Sequence, residues 1–204
     1  MMPFADSLDT DTHALPADRL GQAGTETLGE LAAKGYEIHY GLTQEFAKAI
    51  IAMAREPSIR EYCPRDSGER FVDLVSTEQW LSKGRTMFLL LKRTDRGDLQ
   101  LAGYGWAGEA TTKHVPGGES TFALRVGEAG QGQGLATPFA QMIVLAATAL
   151  YGAKNMWLET WASNGAAVHI YQKLGAVQVA EKSDQRPLPN GETVADTRLY
   201  MTLP

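Results

Sequence analysis

The chain has 204 residues, 44% of them hydrophobic and 21% charged, with a net charge of −5. That length supports one well-buried core and falls short of two independent enzymatic domains. The slightly acidic balance offers no footprint for nucleic acid, and the single cysteine, Cys63, rules out an intrachain disulfide and a cysteine-based zinc site.

Residues 1–35 carry Pro3, Pro16, Gly21, Gly24, Gly29 and Gly35, with Asp6, Asp9, Asp11 and Asp18 near the front. This composition predicts a loosely ordered N-terminal extension outside the core. Within it, Thr27 and Glu30 have the spacing of a capping box that would open one short helix before Gly35. The start lacks a basic leader followed by an apolar run, which together with the lone thiol predicts a cytoplasmic location.

From position 36 the pattern becomes regular, and a single domain is expected over 36–204. A strand is predicted over 36–40 and a helix over 43–54, with Phe46, Ala49, Ile50 and Met53 on one face and Pro57 ending it. Pro64 and Gly68 mark a loop, and a short helix over 77–83 carries Trp80 and Leu81. The apolar run 87–91, the turn Asp95-Arg96-Gly97-Asp98 and the run 99–106 read as a hairpin.

After a polar loop around Pro116-Gly117-Gly118, a strand over 121–126 leads through a glycine-rich loop into a helix. Leu135, Phe139, Met142, Ala146, Ala149 and Leu150 give that helix one apolar stripe, ended by Gly152. Its apolar stretch, 139–150, is far short of the ~20 residues of a membrane span. A strand over 156–161 then passes through Ser163-Asn164 into a helix with Ala167, Ile170, Tyr171 and Leu174 on one face, stopped by Gly175. Strands over 177–180 and 193–203 close the chain around Pro187-Leu188-Pro189-Asn190-Gly191. The fold class is α/β.

The loop at 130–136 carries the chemistry. A helix start leaves its first amide hydrogens unbonded, and glycines let a phosphate approach the bare backbone. Gly130, Gly132 and Gly134 suit that task, but glycine serves any tight turn as well. A P-loop would need Lys and then Ser or Thr after its last glycine, where this chain has Leu135-Ala136. A dinucleotide motif would place a third glycine at Thr137.

Gln131-Gly132-Gln133-Gly134-Leu135-Ala136 instead resembles the Q/R-x-x-G-x-G/A signature of the GNAT superfamily of acyl-CoA N-acyltransferases. Leu124-Arg125-Val126 resembles the strand leading into it, Leu158-Glu159-Thr160 the next strand, and Asn164-x-x-Ala167-x-x-x-Tyr171-x-Lys173-x-Gly175 the second motif. Glu128 stands where many members carry proline, and Ala176 where an aromatic often follows the glycine. The resemblance implies a mixed, strongly twisted, mostly antiparallel sheet with helices on both faces and a central parallel pair splayed around the cofactor. It implies acetyl-CoA as co-substrate, with amides of Gln131, Gly132, Gln133, Gly134, Leu135 and Ala136 on the pyrophosphate. Backbone groups of Leu124, Arg125 and Val126 would hold the pantetheine arm like an added strand. Asn164 would touch that arm or serve as a plain helix cap.

Acetyl transfer to an amine needs a neutral nitrogen, a stabilised oxyanion and a proton for the leaving thiolate. Tyr171 matches the family tyrosine near the sulfur, and a phenol can give that proton without being ionised at neutral pH. The plain reading of Tyr171 is a packed amphipathic side chain. For the base, Glu109, Glu119 and Glu159 lie near the relevant strand ends; Glu159 is best placed by motif, though a strand glutamate is more often solvated or salt-bridged. Arg125 is expected to point away from Leu124 and Val126, toward an anionic acceptor or a neighbouring acid. His13, His39, His114 and His169 have no metal-ligand spacing, so no metal is expected, and Cys63 lacks a partner that would make it a nucleophile. Direct transfer to a primary amine of a small molecule, protein or peptide is the leading expectation. A non-catalytic acyl-CoA sensor is the alternative, distinguished by having no need of Tyr171. Neither nucleic acid nor a membrane is an expected partner, and a homodimer is compatible with all of this. The acceptor would be recognised by loops such as 55–86, 108–120 and 184–192, which carry no transferable motif.

Overall fold

The computed structural model describes residues 8–204. An eight-stranded sheet of order β1-β2-β3-β4-β5-β6-β8-β7 forms the centre. Its strands are β1 (His13–Ala14), β2 (Tyr36–Tyr40), β3 (Arg85–Arg93), β4 (Leu99–Glu109), β5 (Ser120–Val126), β6 (Met156–Trp161), β7 (Val177–Pro187) and β8 (Thr193–Thr202). Every neighbouring pair is antiparallel except β5 and β6. That parallel pair is joined only at Ser120 with Met156 and Thr121 with Trp157, and from Phe122 onward the strands part. The mixed sheet with a separated parallel pair is the one the motifs imply.

Among the described residues six α-helices cover the two faces: α1 (Gly21–Ala33), α2 (Gln44–Met53), α3 (Pro57–Tyr62), α4 (Leu74–Leu81), α5 (Ala136–Tyr151) and α6 (Gly165–Lys173). On one face Phe139, Met142, Ile143 and Ala146 of α5 pack on Phe88, Leu90, Phe122 and Leu158. On the other, Ala47 and Ile50 of α2 and Leu81 of α4 pack on Met87, Leu89, Leu91, Tyr104 and Trp106. Burying one such large apolar side chain contributes about 1.5–3 kcal/mol. Alternation along β5 sends Phe122 and Leu124 to the first core and Ala123 to the second. With both faces covered, β3 is buried continuously from Arg85 to Leu91.

Four local readings differ from the sequence expectation. The described part of residues 1–35 is packed rather than loose: Leu15, Leu20 and Leu31 join the first core, while residues 1–7 lie outside the described residues. The reason is periodicity hidden under a polar composition, since Gly24, Thr27 and Leu31 share the buried side of α1. Thr27 does not open that helix; it lies within it and its hydroxyl donates to the Ala23 carbonyl at 2.8 Å. Pro57 does not end α2, which stops at Met53; it opens α3 from the first position, where its missing N–H costs nothing. The segment around Gly68, expected as a loop, forms a π-helical turn over Asp66–Arg70. No helix among the described residues is long and apolar enough to cross a membrane.

Candidate active site

The glycine loop lies between β5 and α5. Gly132 and Gly134 have φ of +75° and +69°, a region that side chains with a Cβ avoid. This left-handed path leaves the amides of Gly132, Gln133, Gly134 and Leu135 without a hydrogen bond among the described residues, whereas Gln131 N–H closes a turn on the Glu128 carbonyl. Residues 131–134 are exposed and Leu135 is buried in the first core, so the loop is anchored at its helix end and open at its tip. The two glutamines brace it. Gln131 Nε2 donates to Ser58 Oγ at 3.0 Å and to the Val126 carbonyl at 3.1 Å. Gln133 donates to the Ala129 carbonyl at 2.7 Å and accepts from Tyr36 Oη at 2.8 Å. Ala136 is the first residue of α5, where the backbone dipole adds roughly half a positive charge. An exposed row of free amides at a helix start fits a pyrophosphate.

β5 pairs with β4 through Gly105 to Leu124, Tyr104 to Arg125 and Gly103 to Val126, while its other edge loses β6 beyond Thr121. On that open edge the Leu124 carbonyl accepts from Arg125 Nη1 at 2.7 Å, and the Val126 carbonyl accepts from Gln131. An unpaired strand edge is suited to an extended polar chain. Asn164 acts as the cap of α6, accepting from the Ala167 amide at 3.2 Å, which is the plain reading of that residue.

Tyr171 projects from α6 into the same region. It is 5% exposed and meets Phe122 edge to face with ring centroids 5.8 Å apart. Burial pushes its phenol up to about 12, with Arg125 opposing the rise, so it stays protonated far above neutral pH. No hydrogen bond from its hydroxyl is formed among the described residues, so it is free to donate.

Arg125 does point away from Leu124, and the acid it meets is Asp66, which lies in the stretch expected as a loop. The fully buried Asp66 carboxylate accepts from Arg125 Nε at 2.9 Å, Arg70 Nη1 at 2.9 Å and Tyr104 Oη at 2.8 Å. Burial opposes the Arg125 charge, but Asp66 overcomes it and holds the guanidinium protonated. Burial raises Tyr104 and Asp66 raises it further, so its phenol remains the donor. Only a polar residue inside a stretch with Pro64 and Gly68 marks Asp66 in the sequence, and nothing local ties it to Arg125, 59 positions away. Burial also pushes the Cys63 thiol up, which keeps it a neutral and poor nucleophile.

The three glutamates separate. Glu109 pairs with Ser120 at the closed end of β5, and Glu119 accepts from Asn155 Nδ2 at 2.8 Å at that same end. Glu159 stands beside the parted strands, with Arg198 Nη1 2.8 Å from its Oε1 and its side chain 38% exposed. Arg198 Cζ lies 3.7 Å from the Trp161 ring centroid. Across the gap, α3 is tied to the β7–β8 hairpin: Arg186 donates to the Glu61 carbonyl at 2.8 Å, stacks on Tyr62 at 4.7 Å and pairs with Asp196 at 2.9 Å. Tyr62 Oη reaches the Ser163 carbonyl at 3.3 Å. Among the described residues no group of three or more His, Cys, Asp or Glu side chains is arranged to hold a metal ion.

A family model described as the acetyltransferase (GNAT) family matches residues 49–176, more than half of the chain. Among solved structures, spermidine N-acetyltransferase from Vibrio cholerae, in complex with CoA and spermine, is 16% identical with a TM-score of 0.64, covering 83% of this chain and 96% of that one. An acetyltransferase of GNAT family from Streptococcus pneumoniae is 17% identical with a TM-score of 0.61, covering 82% and 99%. Ribosomal-protein-S5-alanine acetyltransferase from Vibrio fischeri is 12% identical with a TM-score of 0.62, covering 82% and 92%. At these identities the likeness is one of fold. No sequence among the curated proteins matches.

Proposed function

Because the chain belongs to the acetyltransferase (GNAT) family, we propose that it transfers an acetyl group from acetyl-CoA to a primary amine of a small molecule, protein or peptide by direct attack. The observation that carries this reading is the free hydroxyl of buried Tyr171 in the region where β5 and β6 part, beside a loop of unpaired amides.

Acetyl-CoA supplies the activated thioester; the chain supplies position and protons. The free amides of Gly132, Gln133, Gly134 and Leu135, framed by Gln131 and Ala136, hold the pyrophosphate against the start of α5. The open edge of Leu124, Arg125 and Val126 pairs with the pantetheine arm, and Asn164 both caps α6 and borders that arm. Tyr171 Oη gives its proton to the departing sulfur, a task suited to a phenol that stays protonated. Glu159, the one of the three glutamates beside the parted strands, receives the ammonium proton directly or through water. The protonated thiol of Cys63 argues for attack by the amine itself rather than through an acyl-cysteine. The neighbours include enzymes named for spermidine and for an alanine of ribosomal protein S5, so both small and protein amines are within this reading.

A thiol-release assay with acetyl-CoA against amines, polyamines, amino acids and peptides tests it. Turnover with at least one amine, falling about a hundredfold or more in Tyr171→Phe, is the expected outcome. Acetyl-CoA binding without thiol release for any amine would mark a sensor instead.

A further inference from the structure

On the sheet face opposite α5, Arg70, Trp80, Arg85 and Trp106 form a cluster that the transfer chemistry above does not use. The two indoles meet edge to face with centroids 5.2 Å apart. Arg70 Cζ lies 4.6 Å from the Trp80 centroid and 5.6 Å from that of Trp106. Arg85 Cζ lies 5.3 and 5.5 Å from the same two rings, and Lys83 Nζ is 5.4 Å from Trp80. Gly108 makes room for this: a Cβ there would stand 2.6 Å from Arg85 Nη1 and 2.9 Å from its Cδ.

The cluster is rich in donors and short of acceptors. Trp80 Nε1, Trp106 Nε1 and Arg85 Nε are buried without a hydrogen-bond partner among the described residues. Arg85 is 9% exposed and Trp106 7%. Arg85 Nη1 reaches the Glu109 carbonyl, but among the described residues no carboxylate forms an ion pair with Arg85. Asp66, the acid paired with Arg70, is shared with Arg125. Burial weakens the charge on Arg85, and the like charge of Arg70 weakens it further, with Glu109 opposing from a distance. Buried donors left unpaired are unfavourable, and two guanidiniums held together call for a counter-charge. The ring faces answer part of that need, but they accept no hydrogen bond from Arg85 Nε.

We propose that this cluster is the subsite for an anionic group on the amine acceptor, a carboxylate or a similar oxyanion, which makes the substrate class amino acids and related negatively charged amines. The assignment rests on the transfer function proposed above. Placement supports it. Trp106 lies opposite Ala123 and Tyr104 opposite Arg125, on the strand bordering the parted pair, and Asp66 links Arg70 directly to Arg125. Asp66 thus connects the cluster to Arg125 of β5, the strand that borders the gap. A multiply cationic acceptor would meet Arg70, Arg85 and Arg125 as like charges.

Two readouts on the full chain test the subsite. In the first, tryptophan fluorescence at constant ionic strength follows titration with a panel of N-acetyl amino acids and with their neutral amides, acetyl-CoA being absent. The expected result is a saturable change with at least one free carboxylate and none with its amide, weakened about tenfold or more in Arg85→Gln and in Trp106→Phe. Trp106→Phe keeps an aromatic ring and removes the indole donor, so it carries the test if Arg85→Gln fails to fold. In the second, thiol release compares amino acids with their amides. A preference of about tenfold or more in kcat/KM for the carboxylate, lost in Arg85→Gln with the acetyl-CoA KM unchanged, supports the subsite. Equal titration by acid and amide, or by wild type and Trp106→Phe, overturns it. Thiol release indifferent to the carboxylate overturns the subsite and leaves the transferase standing. Carboxylate binding with no thiol release from any amine does the reverse.

Discussion

The two sides of the parted strands are built from different materials. Toward α5 and α6, the proposed donor groups are mostly backbone: the free amides of 132–135 and the open edge of β5. On the opposite face the polar groups are side chains: Asp66 between Arg70 and Arg125, and Arg70 and Arg85 over two tryptophans. Backbone binding tolerates most changes of side chain, provided the glycines keep their conformation. A site made of buried charges depends on every partner, because removing one leaves the others unpaired in a medium that solvates them poorly. Substitutions should therefore act more sharply, and more on stability, on the side-chain face.

The largest expected effect tests that asymmetry. Asp66→Ala leaves Arg70 and Arg125 without their shared carboxylate and is expected to lower stability by about 3–5 kcal/mol in urea unfolding. A loss below about 1 kcal/mol would show that water replaces Asp66 and that this face is less interlocked than its geometry implies. Next, Tyr171→Phe is expected to lower kcat about a hundredfold or more while leaving both KM values within a factor of about two. Unchanged kcat would return Tyr171 to a packing role.

The same tyrosine gives a pH prediction. Its folded-state value of about 12 lies above the ordinary 10, so its contribution is fully present below pH 10 and is lost as pH rises toward 12. Tyr104 and Tyr151 are raised in the same sense. Stability measured between pH 10 and 12 should fall, and Tyr171→Phe should remove up to about 2–3 kcal/mol of that fall. An identical alkaline profile in the variant would contradict the burial of the phenol.

Smaller effects belong to the backbone side. Gly134→Val forces a β-branched residue to φ +69°, at a cost of about 1–3 kcal/mol, and should raise the acetyl-CoA KM while sparing that of the acceptor. Equal rises in both would mean the loop does not serve the donor alone. Asn164→Ala removes the cap of α6 and is expected to cost about 1 kcal/mol in thermal unfolding.

Much of the donor side is legible in the sequence because its signals are contiguous. Strand 121–126, loop 131–136 and the capped helix after Asn164 each lie within one local stretch, where periodicity and end signals act directly. Leu20 and Leu31 are hidden there because glycine and acidic residues mask the buried stripe of α1. Pro57 is ambiguous because proline stops one helix and opens another with equal ease, and only the packing of Ile59 in the second core distinguishes the two outcomes. Strand alternation aims Arg125 correctly, but it does not reveal the partner Asp66, since no spacing rule connects residues 59 positions apart.

By itself the sequence determined the glycine loop after strand 121–126 and the helix that carries Tyr171, because turn chemistry and side-chain period are local properties of the chain, and the resemblance of those motifs implied the fold. The tertiary structure alone decided that Asp66 joins Arg70, Tyr104 and Arg125, that Glu109 and Glu119 lie at the closed end of β5, and that Arg85 lies across Gly108 beside two indoles. Those are matters of strand register and of which helix covers which face, and they depend on how distant segments bury their apolar sides together.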